Sequence, residues 1–115
     1  MGLNRLLLMN DKRFPWLILV PQRADIKDFD ELSPLDQTMM TFEMGEISRA
    51  LKAATGCYKI NIAALGNMVP QLHMHVIARN TDDAAWPKPV WGVGEAQAYT
   101  HDEANQVIAG LMQHL

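Results

Sequence analysis

The sequence predicts an α+β fold: a central antiparallel sheet with one long helix packed on it and a shorter C-terminal helix. Three observations predict it. Short apolar runs separated by turn residues come in two pairs, at residues 5–20 and 58–78; one helical period runs from Ser33 to Ala54; and a second helical stripe follows Thr100.

The first pair is Arg5 to Met9 and Leu17 to Val20, bounded by a polar turn and by Pro15 and Pro21, which suits two adjacent antiparallel strands. Ser33-Pro34-Leu35-Asp36 then opens a helix. Ser33 is its N-cap, Pro34 its first residue, and Asp36 is placed to return the capping bond. Met40, Met44, Ile47, Leu51 and Ala54 recur at spacings of four and three, forming one stripe of a helix that stops at Gly56. Methionine is a flexible gap filler, so this stripe reads as core and not as a ligand site. Tyr58 to Ala64 alternates Tyr, Ile and Ile with Lys and Asn, the period of a half-buried strand. Leu65-Gly66-Asn67 turns the chain, and Leu72 to Ala78 gives a strand with Leu72, Met74 and Val76 on one face. Between Arg79 and Tyr99, Pro, Gly, Asp and Trp without a period predict an irregular segment lying over the surface. Thr100 and Glu103 then form a capping-box pattern, opening a helix whose stripe is Ala104, Val107, Ile108, Leu111 and Leu115.

A length of 115 residues fits one domain, and a hydrophobic fraction of 49% with 20% charged residues fits a chain that folds. Ten Lys and Arg against thirteen Asp and Glu leave a net charge of -3, without the basic excess that nucleic-acid binding needs. The single Cys57 excludes an internal disulfide and any multi-cysteine zinc site, and it fits a reducing, cytoplasmic compartment. The early apolar runs are too short to span a bilayer, and Asn10 to Arg13 interrupt any signal-peptide pattern, so a soluble protein is expected.

The chemistry concentrates in Gln71-Leu72-His73-Met74-His75, where alternation puts Gln71, His73 and His75 in a row on one strand face. Two imidazoles held on apolar support suit nucleophilic or acid-base work near neutral pH. The same pattern fits histidines on a solvent-facing strand, or two ligands of a metal site that needs more, the only other histidines being His101 and His114 near or in the terminal helix. Asn67 in a Gly-Asn turn and Asn10 in Asn10-Asp11 have a simpler reading as turn residues, Asn67 because Asn tolerates left-handed backbone. Arg79, Lys88 and His101 fit cations that meet a phosphate tail or, more simply, solvated ones, and Trp86 and Trp91 a cover for the sheet or a stacking surface.

The run from Asn61 to Arg79, with Gly66-Asn67 before Gln71-Leu72-His73-Met74-His75-Val76-Ile77, resembles the signature of the histidine triad (HIT) superfamily. There, three histidines alternate with apolar residues after a Gly-polar turn. The likeness extends upstream to Leu8-Met9-Asn10-Asp11 and to Trp16-Leu17-Ile18-Leu19-Val20-Pro21, and it weakens after Arg79. It implies a single HIT-like domain over 1–115, with a motif core at 58–79 and the irregular segment and C-terminal helix in 80–115.

The resemblance also implies displacement at the α-phosphate of a nucleotide derivative, in two stages. His73 matches the nucleophilic middle histidine, whose second nitrogen is held by a backbone carbonyl of the motif. His75 matches the last histidine, which contacts phosphoryl or leaving-group oxygens, and Asn67 matches the polar residue of the turn. Asn61 and Asn10 fall where members carry a site amide and a ribose contact. Gln71 departs from the pattern. It replaces the first histidine with an amide that donates hydrogen bonds but carries no charge and relays no proton. An enzyme with altered substrate preference is therefore expected, and a weakly catalytic or non-catalytic nucleotide-binding module is the alternative. The implied partners are a small-molecule nucleotide and a second copy of the chain, with no nucleic acid, no membrane, no cofactor and no metal in the chemistry. Related chains usually carry a leading segment before the first strand found here, so either the sequence is shortened or a sheet edge and part of the base pocket are left for a partner subunit to cover.

Overall fold

The computed structural model describes residues 1–115. Its elements are β1 (Asn4–Leu8), β2 (Trp16–Pro21), a single 3-10 turn (Phe29–Glu31), α1 (Pro34–Thr55), β3 (Lys59–Ala63), β4 (Met74–Arg79) and α2 (His101–Met112). The strands form one antiparallel sheet in the order β1-β2-β4-β3, so the expected α+β architecture is the observed one. No helix is long and apolar enough to cross a membrane.

Alternation sorts the strands into two faces. Leu17, Leu19, Met74, Val76 and Ala78 look toward the helices, where they meet Met40, Ile47, Ala50 and Leu51 of α1 and Leu111 of α2. Ser33 caps α1 as expected, its hydroxyl accepting from the Asp36 N–H, and Gly56 ends the helix in left-handed backbone at φ +65°. Asp36 does not return the capping bond. Its carboxylate instead accepts from Arg23 Nε and Nη2 at 2.7 and 3.2 Å, an ion pair that competes for the same oxygens. The buried stripe also ends one turn early. Ala50 is buried beside Ile47 and Leu51, whereas Ala54 is exposed, one turn past the residues that the sheet covers. A buried carboxylate ties α1 to the start of the sheet: Glu43 accepts from the Leu3 and Asn4 N–H groups at 3.0 and 3.1 Å.

The last helix has its capping box, with Thr100 accepting from the Glu103 N–H and Glu103 from the Thr100 N–H. Of its expected stripe only Leu111 is fully buried, and Ile108 and Leu115 stay exposed, because α2 touches the core along one narrow edge.

Residues 80–99 lack regular structure, and they do more than lie on the surface. They form an arm over the second face, where Ala85 and Val90 pack with Phe14, Trp16 and Ile77. Polar contacts hold it. Arg79 is 1% exposed, so it is not a solvated cation. It donates to both Asp83 oxygens at 2.8 and 3.1 Å, to Asn61 Oδ1 at 2.8 Å and to the Lys88 carbonyl at 2.7 Å. Burial alone would raise the Asp83 carboxyl, but the Arg79 bond and the N–H groups of Asn80, Ala85 and Trp86 outweigh it and hold the pKa at about 2. At the other end, Asp11 pairs with Arg13 at 2.8 Å and accepts from the Gln97 N–H, while Asn10 Oδ1 accepts from the Tyr99 N–H at 2.9 Å.

Candidate functional site

The arm stops short of the β1 side of the sheet, and a cavity of about 300 Å³ opens there. Its floor is Leu7, Met9, Ile18 and Val20, and its far wall is Val69, Gln71, His73 and His75. The volume is at the small end of ligand pockets, and the lining carries no lysine or arginine.

His73 lies just before β4. The strand expected from Leu72 begins only at Met74, because the Leu72 N–H bonds the Ile26 carbonyl and not a neighbouring strand. That detachment lets the His73 ring turn back on its own chain. Its Nδ1 stands 2.7 Å from the Gln71 main-chain oxygen. A carbonyl only accepts, so Nδ1 carries the proton, and in the neutral ring the lone pair sits on Nε2. The orienting group is thus the backbone of Gln71, which the loss of the histidine side chain leaves untouched. The Gln71 amide lies 3.4 to 3.5 Å from the carbonyls of Arg23 and Pro21, at the pocket wall.

His75 sits in β4 opposite Ile18 and Ala63 and is 4% exposed, which rules out a solvent-facing histidine. Trp16 Nε1 donates to its Nδ1 at 2.9 Å. An indole N–H only donates, so Nδ1 holds the lone pair and Nε2 the proton, the opposite tautomer to His73. Burial, and then the charge of His73, push the His75 pKa down to about 4. The two rings are 5.0 Å apart, and Trp91 stands edge-on to His75 at the same distance. Gly66 closes the site at φ +70°, where a Cβ would lie 3.4 Å from the Val69 oxygen and 3.9 Å from His73 Cε1.

The structure therefore brings Gln71, His73 and His75 together on one cavity. Asn67 adjoins Gly66 and is exposed. Its backbone is not left-handed; Gly66 takes that conformation in its place. Asn61 and Asn10 do not line the cavity, and their side-chain oxygens are occupied by Arg79 and by the Tyr99 N–H. No three His, Cys, Asp or Glu side chains converge as a metal site would require. Trp16 was legible only as a strand residue. Alternation on β2 put it on the face of Ile18, but its meeting with His75 depends on the β2–β4 register, which no local pattern encodes.

Comparison with known proteins identifies the family. A family model described as HIT domain matches residues 2–82. The chain is similar to a histidine triad (HIT) protein of Sinorhizobium meliloti 1021, with 56% identity and a TM-score of 0.98 over 100% of this chain and 85% of that one. It is also similar to a histidine triad protein of Bradyrhizobium japonicum, with 46% identity and a TM-score of 0.96 over 99% and 85% of the two chains. A third, from Marinobacter aquaeolei VT8, shares 44% identity and a TM-score of 0.94 over 98% and 82%. No curated protein matches. A histidine pair oriented by the Gln71 carbonyl and the Trp16 indole, on a fold and sequence shared with these proteins, makes the chain a member of the HIT domain family.

Proposed function

We propose that the protein is a phosphoryl-transfer enzyme, a hydrolase or transferase, acting at the α-phosphate of a nucleotide derivative through a phosphohistidine on His73. One observation carries this reading: His73 Nδ1 stands 2.7 Å from the Gln71 carbonyl, so in the neutral ring the lone pair is on Nε2. That nitrogen attacks phosphorus, and water or an acceptor then resolves the intermediate. The His75 Nε2–H and the Gln71 amide are the neutral donors for phosphoryl oxygens, and Asn67 is free to reach the same group from the turn. Leu7, Met9, Ile18, Val20 and Val69 suit the apolar faces of a nucleoside. Asn10 and Asn61 would reach substrate only by releasing their present partners. Acid-stable mass labelling is unsuitable for phosphohistidine, so the test is an alkaline quench with nucleoside phosphoramidates, dinucleoside polyphosphates and sugar nucleotides. Label on His73 is expected, and equal turnover by His73→Ala would refute the proposal.

A second reading, a nucleotide-binding module with little turnover, is favoured by the absence of any lysine or arginine in the lining. Saturable binding without a covalent species or product would support it. The partner we propose is a second copy of the chain. β3 is an edge strand, and Tyr58, Ile62, Leu65 and Met68 on and beside it are exposed, which suits pairing between copies. Light scattering reads that directly.

A further inference from the structure

We infer that Trp16 is a positioning and specificity-determining residue: by donating to His75 it makes that ring a hydrogen-bond donor and not an acid, so the site favours phosphoanhydrides over phosphoramidates. This rests on the phosphoryl-transfer reading above. For His75 to act as an acid it must first be an imidazolium, with a proton on Nδ1. That proton would point at the indole N–H 2.9 Å away, and the new charge would lie in a position 4% exposed. Trp16 itself is 5% exposed and is fixed in β2 opposite Ile77, so it has little room to withdraw. The neighbours of His75 are Ile18 from β2, Ala63 from β3, the two indoles of Trp16 and Trp91, and His73, the only titratable group among them. No carboxylate bonds either ring to stabilise the cation.

The remaining lining supplies no substitute. Gln71 is an amide, the other five side chains are apolar, and the one acidic proton of His73 points at a carbonyl. The first step balances without a proton only for certain leaving groups. The His73 Nε2 lone pair forms the N–P bond while the bond from phosphorus to the leaving group breaks, its electron pair going to the departing atom. When that atom is the bridging oxygen of an anhydride, it leaves as a phosphate anion and needs only the hydrogen bond of His75 Nε2–H. When it is the nitrogen of a phosphoramidate, it must gain a proton to leave as an amine, and no group here delivers one. In the second step water attacks phosphorus, the N–P electrons return to His73 Nε2, and the water proton passes to solvent.

The test has a structural and a kinetic arm. Long-range proton–nitrogen correlation of the labelled histidine rings should show His75 as the Nε2–H tautomer, titrating near pH 4. In Trp16→Phe its midpoint should rise by about one unit or more, since the opposing donor is gone. An unchanged midpoint and tautomer overturns the role of Trp16 whatever the enzyme does. In kinetics, matched anhydride and phosphoramidate derivatives of four nucleosides should differ in kcat/KM by about 10²–10⁴-fold, the usual worth of a general acid. Trp16→Phe should narrow that gap. Because its fold could suffer, His75→Gln supplies the independent check: it should lower both substrate classes by the same factor. A selective loss of phosphoramidate cleavage would instead show His75 to be the acid and overturn the inference, as would equal use of both classes by the parent protein. Neither outcome touches the nucleophilic role of His73. No turnover of either class and no label on His73 would overturn the phosphoryl-transfer reading and the specificity with it, while the histidine spectra still decide what Trp16 does.

Discussion

On the α1 side of the sheet, thirteen buried residues form one apolar cluster. On the other side only five do, and a large part of the cover is an irregular arm fastened by Arg79–Asp83 and Asp11–Arg13. The first face is covered by two helices, with a cavity of about 190 Å³ left between α1, α2 and β2, while the second is covered only as far as the arm reaches, and the histidines stand where it ends. Non-directional burial can seal a surface but leaves no polar group free to act. A cover pinned at chosen points can stop at a chosen place.

Arg79→Met tests this contrast most severely. It strands the buried Asp83 carboxylate, and removing one partner of such a pair costs about 3–5 kcal/mol, read by urea unfolding. The double variant Arg79→Met with Asp83→Leu should recover part of the loss, since no orphaned charge remains. Ile47→Ala on the opposite face should cost about 2–5 kcal/mol through a cavity, with the histidine spectra unchanged. A near-neutral Arg79→Met would mean that apolar contacts alone hold the arm.

Acid separates the faces next. The folded pKa of His75 lies below its unfolded value, so its contribution is complete above pH 6.5 and is lost as pH falls toward 4. The loss is about 3 kcal/mol at full depth, and His75→Gln should flatten that limb. Asp83 is also depressed, so its contribution holds above pH 3.8 and drains away as pH falls through about 2. Unfolding measured across pH should therefore show a limb from His75 that His75→Gln removes, above a lower carboxylate limb to which Asp83 contributes. The smallest effect is at the α1 cap. Ser33→Ala should cost about 1 kcal/mol and leave turnover per folded molecule unchanged.

Most of the α1 side was legible in the sequence because its causes are local: Ser33 and Pro34 start the helix, Gly56 ends it, and Met40, Ile47 and Leu51 face the sheet by period alone. The histidine pair was legible too, through alternation and family resemblance. What escaped was every feature fixed by distant partners. Asp36 chose Arg23, Asn61 chose Arg79, Asn10 chose the Tyr99 N–H, and Trp16 met His75 across two strands. The start of β4 escaped for a related reason. Alternation in a sequence does not say which partner the backbone bonds, and Leu72 bonds Ile26 instead.

Those distant partners also set an order of assembly. Trp16 and His75 are 59 residues apart in sequence, Asp11 and Gln97 86, and Asn10 and Tyr99 89. Closing such loops carries an entropy cost that contacts between near neighbours avoid. On a ribosome, β1, β2 and α1 emerge long before Tyr99 does, so the first hairpin and the long helix are made before the arm can be fastened to Asn10 and Asp11. Loss of the Asn10 or Asp11 stitch should then hasten unfolding far more than it slows folding, and the arm should be the first part of the molecule to open.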